Sequence, residues 1–287
     1  MLPSTDRKRK PNHAVFLFLL VVGTDLVAGS SHRDILVKSS AQSPSEMALN
    51  GIKAIFFDLD NTLIDTTGAS RKAIEEVTKL LKDKSQFNEA EINIICHSFQ
   101  AKLLHETFDP SEMTIDDLRV LHWENSMQET KPGEHKDLAK ECYGLWKTKR
   151  LQLMTLPEST RNMLLELRKS ARLVLLTNGD RQVQREKIEA CGAAPFFDAI
   201  VVGGEHSEEK PAPSIFLYCC SLVSVKPEDC VMVGDNLDTD IQGGLNAGLK
   251  ATIWLNRNAR TTADPHPTPH YTIHSVNNLL GLLKNVQ

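Results

Sequence analysis

An apolar run ends in three carboxylates within FFDLDNTLID, residues 56–65: Asp58, Asp60 and Asp65. Like charges this close repel, and a strand end needing only solubility would be better served by Lys or Thr. Residues two apart in an extended chain point the same way, so Asp58 and Asp60 can face one site. Three later apolar runs also end in polar groups. RLVLLTNGD (172–180) carries Thr177 and Asn178. DCVMVGDN (229–236) carries Asp235, with Asp240 five residues further on. Between them, after DAIVVGG (198–204), GGEHSEEKPAPS (203–214) places Lys210 before a proline.

Carboxylates converging from Asp58, Asp60 and Asp235 would force at least one of them to take up a proton. A hard divalent cation removes that conflict. Mg²⁺ favours oxygen ligands and keeps waters and a phosphate partner in its remaining positions. Lys210 adds a point charge for phosphate oxygens, and Thr177 and Asn178 add neutral donors. This set suits phosphoryl transfer, where positioning and charge neutralisation do most of the work. A carboxylate can itself be the nucleophile. Asp58 is the candidate because it leaves the strand first, and Asp60 could then protonate the leaving oxygen and later deprotonate water. Each residue also has a plain alternative: a turn or cap for the aspartates and Thr177, and a solvated surface for Lys210. What favours the chemical reading is that four successive strand ends deliver them together.

The elements that must bring them together follow from periodicity. KAIFFD, RLVLLTNGD, DAIVVGG, DCVMVGDN and KATIWLN are short continuous apolar runs, fit for strands buried on both faces. DRQVQREKIEAC, APSIFLYCCSLV and LDTDIQGGLNAG read as helices, the first with Asp180 as N-cap and Gly192 as its stop. Strands alternating with helices predict right-handed βαβ units and a parallel sheet of the α/β class, with ligands beyond the strands' carboxyl ends. Between Thr66 and Leu156 the strand signal vanishes. Four stretches there space apolar residues three and four apart, which predicts an inserted helical domain with Trp123, Tyr143 and Trp146 in its core. The expected organisation is a leader over 1–46, a core domain over 47–65 and 157–287, and a helical domain over 66–156.

Bulk properties narrow the class. The 287 residues are 41% hydrophobic and 24% charged, ordinary for a soluble globular chain, and the net charge of −4 argues against a general nucleic-acid binder. DRKRK, AVFLFLLVVG and LVAGSS near the start have the layout of a secretory signal, and the apolar run is too short for a membrane span of ~20 residues. Six scattered cysteines without a pairing framework, and no N-x-S/T sequon, point the other way. The expectation is a cytoplasmic protein whose fold starts near Met47, with 1–46 disordered or absent from the native chain. No partner beyond a small molecule is expected, and the oligomeric state is not readable.

D-x-D-x-T at 58–62, Thr177, Lys210 and G-D-x-x-x-x-D at 234–240 resemble, in order and relative position, the four motifs of the haloacid dehalogenase superfamily. That resemblance implies a Rossmann-like core and identifies the helical insertion with the family's type-one cap. It makes Asp58 the nucleophile and a Mg²⁺ ligand. Asp60 becomes the acid/base and a Mg²⁺ ligand through its backbone carbonyl, and Asp235 the third ligand. Thr177, Asn178 and Lys210 would hold the phosphate with backbone donors from Leu59 to Asn61, while Asp240 orients Lys210 and Thr62 completes the first motif. Longer stretches, among them FFDLDNTLIDT, LLTNGDRQ and EEKPAPSIF, resemble family members that hydrolyse a nine-carbon acidic sugar phosphate. A substrate carboxylate suits the fork of an arginine, with Arg71 and Arg150 as candidates and a surface role as their alternative. Competing readings are a phosphatase for another ester such as phosphoglycolate, a hexose phosphate mutase, a receiver-like phosphoacceptor module, or a catalytically silent interaction protein.

Overall fold

The computed structural model describes residues 51–257 and 265–284. The expected leader over 1–46 and the start near Met47 lie outside these residues. Six parallel strands form one sheet: β1 (Ala54–Phe57), β2 (Arg172–Thr177), β3 (Ala199–Val202), β4 (Cys230–Gly234), β5 (Ala251–Leu255) and β6 (Tyr271–Ile273), in the order β3-β2-β1-β4-β5-β6. The five expected strands are present. β6 joins at the edge; three residues are too few to stand out as an apolar run.

Alternate residues of each strand serve opposite faces. Ile55, Phe57, Leu173, Leu175, Val231 and Val233 pack in one cluster, and Ala54, Phe56, Val174, Leu176 and Met232 in another. With both faces covered, nearly every position is apolar, which is why these strands read as almost continuous runs. β1 lies between β2 and β4, at the point where strand order reverses. In an open α/β sheet that crevice is where ligands bind.

Nine helices are described: α1 (Thr66–Lys84), α2 (Glu89–Leu104), α3 (Ile115–Thr130), α4 (Lys136–Leu153), α5 (Glu158–Leu167), α6 (Arg181–Cys191), α7 (Pro213–Leu222), α8 (Gln242–Asn246) and α9 (Leu279–Lys284). α6 is bounded as its sequence predicts: Asp180 accepts from Val183 N, and Gly192 closes it in the left-handed conformation at φ 64°. The helix expected over 237–248 is instead a widened π turn, Leu237–Ile241, followed by the short α8. The Asn236 side chain accepts from Asp238 N and Thr239 N and starts that wider turn.

The described residues fall into two compact units, one of 73–147 and the other of 51–72 with 148 onward; the divisions lie inside α1 and α4. The first unit is helical around its own core. Trp123 stacks on Phe99 with ring centroids 3.9 Å apart, and Trp146 meets Phe99 edge-on at 5.3 Å. Asn88 and Glu91 form a capping box at the start of α2. No helix among the described residues is long and apolar enough to cross a membrane.

Candidate active site

The register that pairs Phe57 with Val233 puts the residues following β1 and β4 side by side, and Asp58 N donates to Val233 O at 3.0 Å. Carboxylate oxygens of Asp58, Asp235 and Asp240 lie within 4.8 Å of one another. Lys210, from the loop between β3 and α7, enters this cluster. Its Nζ donates to Asp58 Oδ1 at 2.7 Å, Asp240 Oδ1 at 2.7 Å and Leu176 O at 2.9 Å, so all three protons are used. Gly234 makes room for this: a Cβ there would overlap the Asp240 carboxylate. The second Asp240 oxygen accepts from Asn236 N at 3.1 Å, tying the turn to the cluster.

One lysine does not balance three carboxylates. Burial pushes the Asp58 carboxyl up to about 7; Lys210 opposes that, and Asp240 and Asp60 add to it. Burial likewise pushes Asp235 up to about 8, with Asp58 and Asp240 adding to the push. Lys210 stays charged: burial works against its ammonium, but Asp240 and Asp58 hold its pKa above the ordinary lysine value. Carboxylates pushed up for want of positive charge, with oxygen donors only, fit a hard divalent cation. Thr177 Oγ1 is buried and has no hydrogen-bond partner among the described residues. A buried hydroxyl at a strand end beside Lys210 fits an anionic ligand, since leaving it unpaired is costly.

Asn178 is placed as a brace. Its Nδ2 donates to Lys210 O at 2.7 Å and its Oδ1 accepts from Lys210 N at 3.0 Å, so the amide fixes the lysine's main chain and retains one N–H for a ligand. Asn61 is left-handed at φ 58°, and its side chain accepts from Thr67 N at 2.9 Å. Thr62 is fully buried and points its hydroxyl toward Asp235 Oδ1 at 3.5 Å. Leu59 is buried in the core. Arg71 is exposed, whereas Arg150 is half-buried, donates from Nε to Ser70 Oγ at 2.8 Å, and lies close enough for its charge to act on Asp60.

Asp60 has separate surroundings that the sequence reading did not anticipate. Lys187 Nζ reaches its two oxygens at 2.9 and 2.8 Å, Gln184 Nε2 donates to Oδ2 at 3.0 Å, and the Thr66 hydroxyl donates to Oδ1. Burial would raise the Asp60 pKa, but the Lys187 charge and these hydrogen bonds bring it down to about 2. The signal in the sequence was present: Gln184 and Lys187 fall on the face of α6 that also carries Val183, Ile188 and Cys191. Two further ties were also missed. Arg257 donates to Asn61 O at 2.8 Å and Thr62 O at 2.6 Å, and Trp254 Nε1 donates to Asp235 O at 2.9 Å.

Comparison with known proteins places this chain in a family. The chain is 59% identical over 241 residues to the N-acylneuraminate-9-phosphatase of Homo sapiens, covering 84% of this chain and 97% of that one. The enzyme of the same name from Rattus norvegicus is 58% identical over the same shares. A crystal structure of YfnB of Bacillus subtilis, described as a HAD-hydrolase and bound to magnesium, shares the fold with a TM-score of 0.60 at 22% identity, over 81% of this chain and 99% of that one. The family profile described as haloacid dehalogenase-like hydrolase matches residues 52–248, which span β1, the helical unit, Thr177, Lys210 and the turn to Asp240. The chain therefore belongs to the haloacid dehalogenase-like hydrolases.

Proposed function

We propose that this chain is a Mg²⁺-dependent phosphatase that hydrolyses N-acylneuraminate 9-phosphate to the free sialic acid and phosphate, a step of sialic acid biosynthesis. The observation that carries the chemistry is the convergence of the Asp58, Asp235 and Asp240 carboxylates, with a single lysine paired to Asp58 and Asp240 and with Thr177 Oγ1 buried and unpaired. The substrate rests on 59% identity along almost the whole of a relative that bears that name.

In this proposal Asp58, Asp235 and the Asp60 backbone carbonyl would hold Mg²⁺, which would supply the positive charge that the crowded carboxylates and the phosphate lack. Asp58 attacks phosphorus and becomes an aspartyl phosphate as the ester P–O bond breaks. Asp60 is the acid/base: with its pKa brought down to about 2 in the free protein, it must take up a proton as the substrate binds, gives that proton to the departing sugar oxygen, and takes one back from the water that later hydrolyses the aspartyl phosphate. Thr177, the remaining N–H of Asn178 and the backbone N–H groups from Leu59 to Asn61 hold the phosphate, and Lys210 attracts it through its charge, donating to it once its hydrogen bond to Asp58 is released. Asp240 orients Lys210, and Thr62 steadies Asp235. Arg150 receives the substrate carboxylate and is preferred over Arg71, because its charge already acts at Asp60. Residues 66–156 form the accessory domain, and 47–65 with 157–287 the catalytic one. Six buried free cysteines suit a reducing, cytoplasmic setting.

The test is a panel of phosphate esters with purified protein and Mg²⁺. The proposal expects kcat/KM for N-acetylneuraminate 9-phosphate to exceed that for hexose phosphates and phosphoglycolate by at least about 100-fold, the scale of the roughly 1–3 kcal/mol lost when one buried polar group is left unpaired. Equal values would remove the substrate assignment while leaving the phosphatase. Incorporation of one phosphate per chain without turnover would remove the phosphatase as well.

A further inference from the structure

A cation inside a protein has lost its water, and only a partner of opposite charge offsets that loss. Lys187 and Gln184 are both 4% exposed on α6, where packing alone would call for apolar side chains. Both aim at Asp60, which the Lys187 ammonium meets at 2.9 and 2.8 Å on its two oxygens and Gln184 at 3.0 Å on one. With both oxygens engaged from one helix, the carboxylate cannot turn about its terminal bond without breaking a charged contact.

We propose that Lys187 and Gln184 are positioning residues of the reaction: they fix the Asp60 carboxylate in the orientation from which it takes the proton of the water that hydrolyses the aspartyl phosphate. This rests on the reading of Asp60 as acid/base given above. In the step concerned, the water oxygen bonds to phosphorus, its proton passes to Asp60, and the P–O bond to Asp58 breaks with the electron pair returning to that carboxylate. The seat around Asp60 is full, so one donor must yield as the proton arrives. The Thr66 hydroxyl, a neutral donor that turns about a single bond, can rotate away without moving a charge.

The experiment separates the two halves of the reaction. With p-nitrophenyl phosphate the leaving group needs little protonation, so the first half should proceed in the variants and the second should stall. Lys187→Met should slow decay of the trapped phosphoenzyme about 10- to 100-fold, within the range of a general-base contribution, and turn steady release of nitrophenol into a burst. Gln184→Leu should do the same to a smaller degree, and it serves where Lys187→Met fails to fold. Asp60→Asn is the reference. If it gives no burst, the acid/base reading itself falls. If it gives a burst and both α6 variants decay at the wild-type rate, only the positioning role falls. Removing the ammonium also makes Asp60 more basic, so faster phosphoenzyme decay in Lys187→Met would show a charge effect and overturn the proposal. In the Asp60→Asn background, adding Lys187→Met should change the decay no further, because a residue acting through Asp60 has nothing left to position.

Discussion

Asp58 and Asp60 leave the same strand two residues apart, yet their surroundings push them in opposite directions. Asp58 shares Lys210 with Asp240 and sits near Asp235, and its carboxyl is pushed up to about 7. Asp60 has Lys187 along with Gln184 and Thr66, and is brought down to about 2. The first region is short of positive charge and the second is supplied with it. A cluster short of one cation is prepared for a metal and a substrate, whereas a satisfied carboxylate is prepared to stay where it is.

The comparison breaks most visibly through substitution at the two positions. Asp58→Asn should cost about 10⁴-fold or more in kcat with an aryl phosphate, as removal of a nucleophile does. The same change relieves the crowding, so thermal unfolding of the Mg²⁺-free protein at pH 8 should occur at higher temperature than in the wild type. Full turnover in this variant would end the assignment of Asp58.

Titration with and without Mg²⁺ sharpens the contrast. A carboxyl whose folded pKa is raised contributes stability that is present below its unfolded value near 4 and lost as pH rises through the folded value. For Asp58 and Asp235 that loss runs toward about 7 and 8 in the absence of metal. Added Mg²⁺ should therefore raise the Tm more at pH 8 than at pH 5, as measured by scanning calorimetry. A pH-independent increment would mean that the cation binds elsewhere.

Asp60 should show the opposite sign. Its depressed pKa of about 2 contributes on the order of 2 kcal/mol above pH 4, lost as pH falls toward 2. Asp60→Asn should thus be destabilised at neutral pH, with the gap from the wild type closing in acid; a constant gap would point to lost packing. The smallest effect expected is at Arg150. Arg150→Met should raise KM for the sialic acid phosphate about tenfold, the scale of one charged hydrogen bond, while leaving KM for a small ester nearly unchanged.

The strand-end residues were legible because a doubly covered parallel sheet is made almost entirely of apolar residues, so a polar residue at the end of such a run stands out. Asp58, Thr177 and Asp235 stand out on that account, whereas Lys210 and Asp240 lie further along the segments that follow β3 and β4. Lys187 and Gln184 were not singled out: their place on the face of α6 that carries Val183, Ile188 and Cys191 was readable, but nothing in the chain order says which carboxylate that face would meet. The π turn at Leu237–Ile241 was hidden for a related reason: one extra residue per turn changes no composition, only which groups Asn236 can reach. β6 and α5 were not foreseen either, the first being three residues long and the second having no side-chain cap at its start.

From the amino-acid order alone came the alternation of strands and helices, the helical insertion, and the polar groups at four strand ends, since these depend on local periodicity and on the exclusion of charge from a covered sheet. Tertiary structure alone decided how charge is shared among those groups. Which lysine meets which aspartate is set by strand register and by the face on which α6 packs. Electrostatic interaction falls off with distance through space and takes no account of separation along the chain.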